Sequence, residues 1–482
     1  MPEKVNVMKF PFIDQEVEVI IEDKLLKYLQ DISRDDLFEV LNYIIKELAG
    51  NANKANLKRI HFRRKGLDIT KQDHYHVGVK DFLKEINEKP ELYFNLAKDL
   101  GFYVKIEMYL ENNNLVINIV DNSPIITFEI ERIREKFKRA YRFKTLDEVF
   151  KEGVDFTEGG GLGLIVVIFM LRKIGLDEKV MKILTNNEKT YTRLEIPLSI
   201  VTSTESDIIA DAIAKEIEEI PQFPPHILQL QKILGDPNAN FKDVSEIIQK
   251  DPALIADILK TANSVMYAMP HKVNSIEEAV KIMGFNGIRN LISVYTTRKI
   301  LMNNYRLDII ENIMAHSSEV AFYAYEIAKS YRIKNYIDDI YTGAILHDIG
   351  KIMINALRPD ILDNIKTMCR ERGVPSHILE DLTNGYNHSI IGGKLSEKWQ
   401  FPQLLTSIIR YHHIPLEAKD EYLEPVSIVY LSDIIYYYKR KEMIFSNLNF
   451  RIKNILNLNT KEDFDNLANS VISKFEKRIS NW

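Results

Sequence analysis

The stretch Ile345-Leu346-His347-Asp348-Ile349-Gly350-Lys351 sets an imidazole beside a carboxylate inside an apolar segment. An adjacent pair of this kind lets the carboxylate bridge two ions while the imidazole binds one of them. Lys351 follows His347 by about one helical turn, so its ammonium can approach a phosphate bound at the same place. Outward from this core, His316, His388, His412-His413 and Asp433 complete a set of nitrogen and oxygen donors suited to divalent first-row metals. A single histidine on an apolar helix is ordinarily a satisfied core residue. Seven ligand-type residues in this order are harder to explain that way. Their surroundings, from about Glu205 onward, read as helix after helix. Asp251-Pro252, Ser275-Ile276-Glu277-Glu278 and Gly284 punctuate segments of roughly ten to fifteen residues, which is an all-α pattern.

The first 200 residues read differently. Tyr103–Tyr109 and Leu115–Val120 alternate or are β-branched around Glu111-Asn112-Asn113-Asn114, which predicts a hairpin. A third strand is expected over Thr190–Ile196, ending at Pro197, with amphipathic helices at about Asp36–Leu48 and Leu164–Ile174. The front half is therefore expected to be a layered α/β sandwich. The polar segment Val201–Asp211 marks the join, which gives two domains, 1–200 and 201–482.

Composition bounds the partners. The chain has 482 residues with 45% hydrophobic and 28% charged, so it is expected to fold throughout, in more than one domain. Its 64 basic and 69 acidic side chains are mixed along the sequence, which argues against nucleic acid as a partner. The basic run from Lys58-Arg59 to Arg63-Arg64-Lys65 has no interleaved aromatic residues and reads as a solvated face. One cysteine, Cys369, and an N-terminus without an apolar signal core point to the cytoplasm, with no membrane insertion. Self-association is left open.

Three constellations in the front half suggest a nucleotide cradle. Glu47, Asn51 and Lys54, in Glu47-Leu48-Ala49-Gly50-Asn51-Ala52-Asn53-Lys54, share one face of what reads as a helix end. They offer a carboxylate, an amide oxygen for Mg²⁺ and an ammonium. Asp121 closes an apolar strand, where a carboxylate can accept from an exocyclic amine. Glu158-Gly159-Gly160-Gly161-Leu162-Gly163-Leu164 enters an apolar helix, where glycines and free N–H groups favour an anion. In this order the three resemble the ATP-binding domain shared by histidine kinases, gyrase and the heat-shock 90 chaperones, over about residues 30–198. The resemblance implies ATP with Mg²⁺, with Asn51 as Mg²⁺ ligand, Glu47 as water-orienting acid, Asp121 as adenine reader, and Gly159, Gly161 and Gly163 as phosphate loop. Ser123 and Ile125 stand where that family carries glycines. No histidine precedes Glu47, so a phosphoacceptor in cis is missing and the chain is not read as a histidine kinase. Residues His61–Phe102 read as an insertion, and His74-Tyr75-His76 as two imidazoles on one strand face, too few to hold a metal well.

The back half resembles the HD superfamily of metal-dependent phosphohydrolases. By that resemblance His316, His347, Asp348, His388, His412, His413 and Asp433 are metal ligands, for Fe, Mn or Zn, with Asp348 and Lys351 in catalytic roles. The flanks narrow it. Ile220-Pro221-Gln222-Phe223-Pro224, Ile248–Leu254, Thr261-Ala262-Asn263-Ser264 and Trp399-Gln400-Phe401-Pro402 resemble the HDOD family, output domains of bacterial signalling proteins, over about residues 210–440. The His-His pair continues as Ile414-Pro415-Leu416-Glu417, without the Gly-Tyr-Pro stretch of the cyclic-di-GMP phosphodiesterases. Three readings follow. In the first, a nucleotide-binding domain regulates an HDOD output that signals to a protein partner. In the second, the chain is a metal-dependent phosphohydrolase of a nucleotide or cyclic dinucleotide. In the third, both halves are inert scaffolds.

Overall fold

The structure is a computed structural model that describes residues 5–80, 82–152, 162–200, 209–236, 239–263, 271–372, 376–440, 448–458 and 460–480. The chain divides into two compact units, Met1–Ser206 and Asp207–Trp482.

The first unit is built on an antiparallel sheet of five strands: β1 (Asn6–Phe10), β2 (Val104–Glu111), β3 (Asn114–Asp121), β4 (Met181–Thr185) and β5 (Thr190–Pro197), ordered β1-β2-β3-β5-β4. Glu111 pairs with Asn114, so the β2–β3 hairpin closes over two residues. Asn112 and Asn113 both take positive φ, 49° and 63°, the geometry of a tight hairpin turn that asparagine tolerates. Val104, Ile106 and Met108 bury one face of β2. The other face carries a polar ladder in which Arg193 meets Glu195, Glu111 and Tyr109. That division is typical of an antiparallel sheet with one packed face.

The helix expected over Asp36–Leu48 instead runs Phe38–Arg64, 27 residues, and packs against β3 and against the helix Gly163–Lys173. Gly50, Asn51 and Asn53 read locally as a stop. Tertiary partners override them: Asn53 is buried and pairs with both backbone groups of Ile13, and Leu57, Ile60 and Phe62 continue the buried stripe. The Glu47–Lys54 constellation therefore lies in mid-helix, not at a helix end.

The stretch after His61 is helical and packed into the unit. It forms the helices Gln72–Lys80, Phe82–Glu88 and Pro90–Asp99, and its Phe82, Tyr93, Ala97 and Phe102 share a core cluster with Phe12, Leu57 and Ile60. His74 and His76 lie on a helix, not a strand, so residues two apart point to different sides and do not pair. The basic run is largely consumed internally: Lys58 and Arg59 hold Glu129, while Arg64 and Lys65 hold Glu85.

The second unit is all-helical among the described residues. Two of the quoted motifs are each other's partners. Trp399 is fully buried, stacks on Phe223 and donates from Nε1 to the carbonyl of Pro221 at 3.1 Å. Lys398 donates to the carbonyls of Ile217, Glu218 and Ile220, closing the helix Asp211–Glu219. Asp251 caps the helix Pro252–Ala262 by accepting from the N–H groups of Ala253 and Leu254, and Asn263 ties both backbone groups of Val273. Gly284, at φ 67°, breaks the long segment Ile276–Asn304 into two helices. Among the described residues no helix is long and apolar enough to cross a membrane.

Candidate metal centre

Six helices of the second unit deliver the seven ligand-type residues to one place. His316 lies within Leu307–Ser330 and Asp433 within Asp420–Lys439. His347 and Asp348 form the corner between Ile337–Leu346 and Ile349–Leu357. His388 opens His388–Lys398, and His412 closes Gln403–Tyr411, followed by His413. The corner is possible because residue 350 is glycine. A Cβ there would lie 2.0 Å from the carbonyl oxygen of His388 and 2.9 Å from the amide nitrogen of Gly392. The glycine next to the His-Asp pair thus lets the His388 helix approach it.

The two carboxylate oxygens of Asp348 divide the ring. Oδ1 faces His388 Nε2 at 3.2 Å and His412 Nε2 at 3.9 Å; Oδ2 faces His316 Nε2 at 3.3 Å and His347 Nε2 at 3.5 Å. His413 Nε2 stands 3.1 Å from His388 Nε2, and Asp433 Oδ1 stands 3.2 Å from His316 Nε2. Ligand atoms within 4.8 Å of one another fall into three overlapping groups: His388, His412 and His413; His316, His347 and Asp433; and His347, Asp348 and His412. His347, His388 and His412 are fully buried, while His316, His413 and Lys351 are partly open.

The imidazoles are aimed. His347 Nδ1 lies 2.7 Å from the carbonyl of Ala344 and His412 Nδ1 lies 2.8 Å from that of Ile409. A carbonyl only accepts, so both Nδ1 atoms carry the proton and both Nε2 lone pairs point into the ring. Oδ1 of Asp348 and Oδ1 of Asp433 are buried there without a hydrogen-bond partner. Inward lone pairs and orphaned carboxylate oxygens at such spacing form an electron-rich cage, and a divalent cation is the group that fits it.

Charge in the ring follows the same logic. Burial, and then the neighbouring imidazoles, hold His412 and His413 well below the usual histidine range, in the neutral form that a metal requires. Burial works against the Asp348 carboxylate, but His347 and Lys351 outweigh it and hold its pKa well below the usual range. Burial also opposes charge on His388, yet Glu380 and Asp348 push it up to about 9. Lys351 donates to Asp348 Oδ2 at 2.8 Å.

Two contributors left no mark in the residue spacing. Glu380 is 1% exposed and accepts from His388, and Tyr436 meets the His316 ring edge-on. The carbonyls of Ala344 and Ile409 do have a signature: each lies three residues before a histidine at the C-terminal end of a helix.

In the first unit the expected nucleotide residues are placed as follows. Glu47 and Asn51 are half-buried, Asn51 donating to Glu47 Oε1 at 3.3 Å, and Lys54 is exposed. Asp121 ends β3, buried, and burial raises its pKa to about 7 against a hydrogen bond from the Ser123 N–H. Thr190 stands opposite it in register and donates to the Ser123 carbonyl at 2.7 Å. Ser123, in the expected glycine position, donates from Oγ to Asn56. Ile125 donates its N–H to Thr185 Oγ1. Gly159 and Gly161 lie outside the described residues, and Gly163 begins the buried helix Gly163–Lys173.

Comparison with known proteins gives one family match: residues 220–415 match the HDOD domain. Nearly the whole chain is similar to an uncharacterized protein of Treponema pallidum (strain Nichols), at 29% identity over 464 residues, covering 96% of this chain and 90% of that one. Among solved structures it is similar to a candidate phosphohydrolase from Shewanella amazonensis SB2B, at 23% identity and a TM-score of 0.43, covering 55% of this chain and 94% of that one. It is also similar to an HDOD domain protein with unknown function from Geobacter sulfurreducens, at 21% identity and a TM-score of 0.42, covering 56% of this chain and 94% of that one.

Proposed function

We propose that this HDOD-bearing chain is a bacterial signal-transduction protein whose C-terminal unit holds a pair of divalent metal ions and whose N-terminal unit binds ATP with Mg²⁺. One observation carries the metal reading: six donor side chains converge around the two oxygens of a seventh, the Asp348 carboxylate, brought together by six helices, with the Nε2 lone pairs of His347 and His412 aimed inward. His316, His347 and Asp433 would hold one ion and His388, His412 and His413 the other, with Asp348 between them. Elemental analysis of the purified chain is the test. About two equivalents of Fe, Mn or Zn per chain support the reading, and a metal-free chain that takes up none on reconstitution defeats it.

For the N-terminal unit, the support is a buried carboxyl at the end of a central strand, fixed by Ser123 and faced by Thr190, on the unit that also carries Glu47 and Asn51. A carboxyl so placed accepts a hydrogen bond from an exocyclic amine. Calorimetric titration with MgATP tests it, and the absence of any binding heat or competition overturns it. In this reading occupancy of the first unit changes what the second presents to a signalling partner.

Lys351 favours a second reading, a metal-dependent phosphohydrolase. Its ammonium sits beside Asp348 at the partly open edge of the ring, where it can neutralise a phosphoryl oxygen. Metal ions at this place would supply a polarising charge and a water acidic enough to attack phosphorus. The protein's own part is to aim the donors and to seat the phosphate. Turnover of a nucleotide or cyclic dinucleotide by the metal-loaded chain, lost in Lys351→Met with metal retained, would establish it.

A further inference from the structure

The ring around Asp348 is chemically lopsided. Oδ1 faces the group of three imidazoles, His388, His412 and His413, whereas Oδ2 faces two imidazoles that share their side with the Asp433 carboxylate. The imidazoles also differ in what aims them. His347 and His412 give their Nδ1 protons to neutral backbone carbonyls. His388 gives its proton to Glu380, a carboxylate at the end of the helix Ser376–Glu380.

Glu380 is 1% exposed, and its Oε2 accepts both from the backbone N–H of His388, at 2.9 Å, and from its ring Nδ1. Its other oxygen, Oε1, is buried without a hydrogen-bond partner. A neutral acceptor fixes the ring's tautomer and rotation and raises its basicity less than a charged one. A buried carboxylate also draws the Nδ1 proton toward itself, which raises electron density at Nε2 and makes that nitrogen a stronger donor. The doubly bonded oxygen further ties ring orientation to the first turn of the His388 helix, so Nε2 stays aimed at Asp348 Oδ1.

We propose that Glu380 is the positioning residue of this centre and that, acting through His388, it makes the three-imidazole position the tighter of the two cation positions. The inference rests on the reading that the ring holds divalent cations. A purely structural alternative exists, because the hydrogen bond from the His388 N–H also caps a helix. Glu380→Gln separates the two roles, since an amide oxygen keeps both hydrogen bonds but not the charge.

The test is a Co²⁺ titration of the metal-stripped full chain against a chelator, read by absorption, for wild type, Glu380→Gln, Glu380→Asp and His316→Ala. The wild-type chain should load in two steps, and His316→Ala should lose the weaker one. Glu380→Gln should weaken the tighter step by about 10–100-fold and shift its Co²⁺ spectrum. Glu380→Asp, which keeps the charge, should recover part of the affinity. Should Glu380→Gln not fold, Glu380→Asp decides: loading in the wild-type order upholds the inference, and reversed order overturns it. Wild-type titration by a folded Glu380→Gln, equal weakening of both steps, or loss of the tighter step in His316→Ala also overturns it. A wild-type chain that takes up no Co²⁺ defeats the metal-centre reading itself, which is a different result from two unchanged steps in Glu380→Gln.

Discussion

The two units carry unlike candidate sites, and the sequence exposes them unequally. In the second unit seven donors sit at helix ends or on helix faces, and rigid helices carry them to within a few ångströms of one another. In the first, the residues expected at a nucleotide site lie on one long helix, a strand end and a helix start, and two of the expected glycines fall outside the described residues. A metal centre needs donor atoms at fixed distances, which side-chain type and helix packing supply. A nucleotide cradle also needs a backbone loop in one conformation, which residue types alone specify less firmly.

The contrast can be broken most decisively at Asp348. Asp348→Ala removes the residue between both ion positions, so metal content should fall from about two equivalents to near none. ATP binding by the first unit should persist, as measured by calorimetry on the same preparation. Loss of both together would mean that the units do not act as separate sites.

Gly350→Ala is the next largest. The added Cβ meets the His388 carbonyl at 2.0 Å, so the His388 helix must move or the variant must strain. A loss of about 3 kcal/mol in unfolding free energy of the second unit is expected, with weakened metal uptake. A variant as stable as wild type would show that the close approach is not needed to build the ring.

Asp121→Asn turns an acceptor toward a donor at the strand end and should weaken MgATP binding by about 10–100-fold, with metal content untouched. An unchanged dissociation constant would remove Asp121 from any nucleotide site.

The smallest expected effect is a pH slope. Burial holds the folded-state pKa of Asp121 at about 7, above its ordinary 3.8, so between those values the native state keeps a proton that the unfolded chain has released. Its contribution to stability is therefore full below about pH 4 and is lost as pH rises through about 7, at no more than about 1.4 kcal/mol per pH unit. Hydrogen exchange of the β3 amides should show this decline in wild type and a flatter profile in Asp121→Asn. Equal profiles would show that the carboxyl is ionised throughout.

Much of the candidate metal centre was legible because ligand identity and order are local facts. His347-Asp348 marked the carboxylate that the other residues surround, and His316, His388, His412, His413 and Asp433 are the side chains that gather around it. Glu380 was not legible: it ends one helix eight positions before His388 opens the next, so no single helix or strand face joins them. The helix Phe38–Arg64 was misjudged for a similar reason, since Gly50 and Asn51 look like a stop until Asn53 finds the backbone of Ile13. His74 and His76 looked paired only while the segment was read with a period of two.

By itself the sequence determined the two-part organisation, the β2–β3 hairpin through Asn112-Asn113, the all-helical back half and the ligand types it carries. These follow from short-range preferences, namely side-chain periodicity, turn chemistry and caps such as Asp251. Only the tertiary structure decided that Asp348 turns one oxygen toward each half of the ring, that Gly350 admits the His388 helix, and that a buried carboxylate stands behind His388. Those features depend on the distance between elements far apart in the chain, and that distance is set by packing the interior without overlap rather than by any local preference.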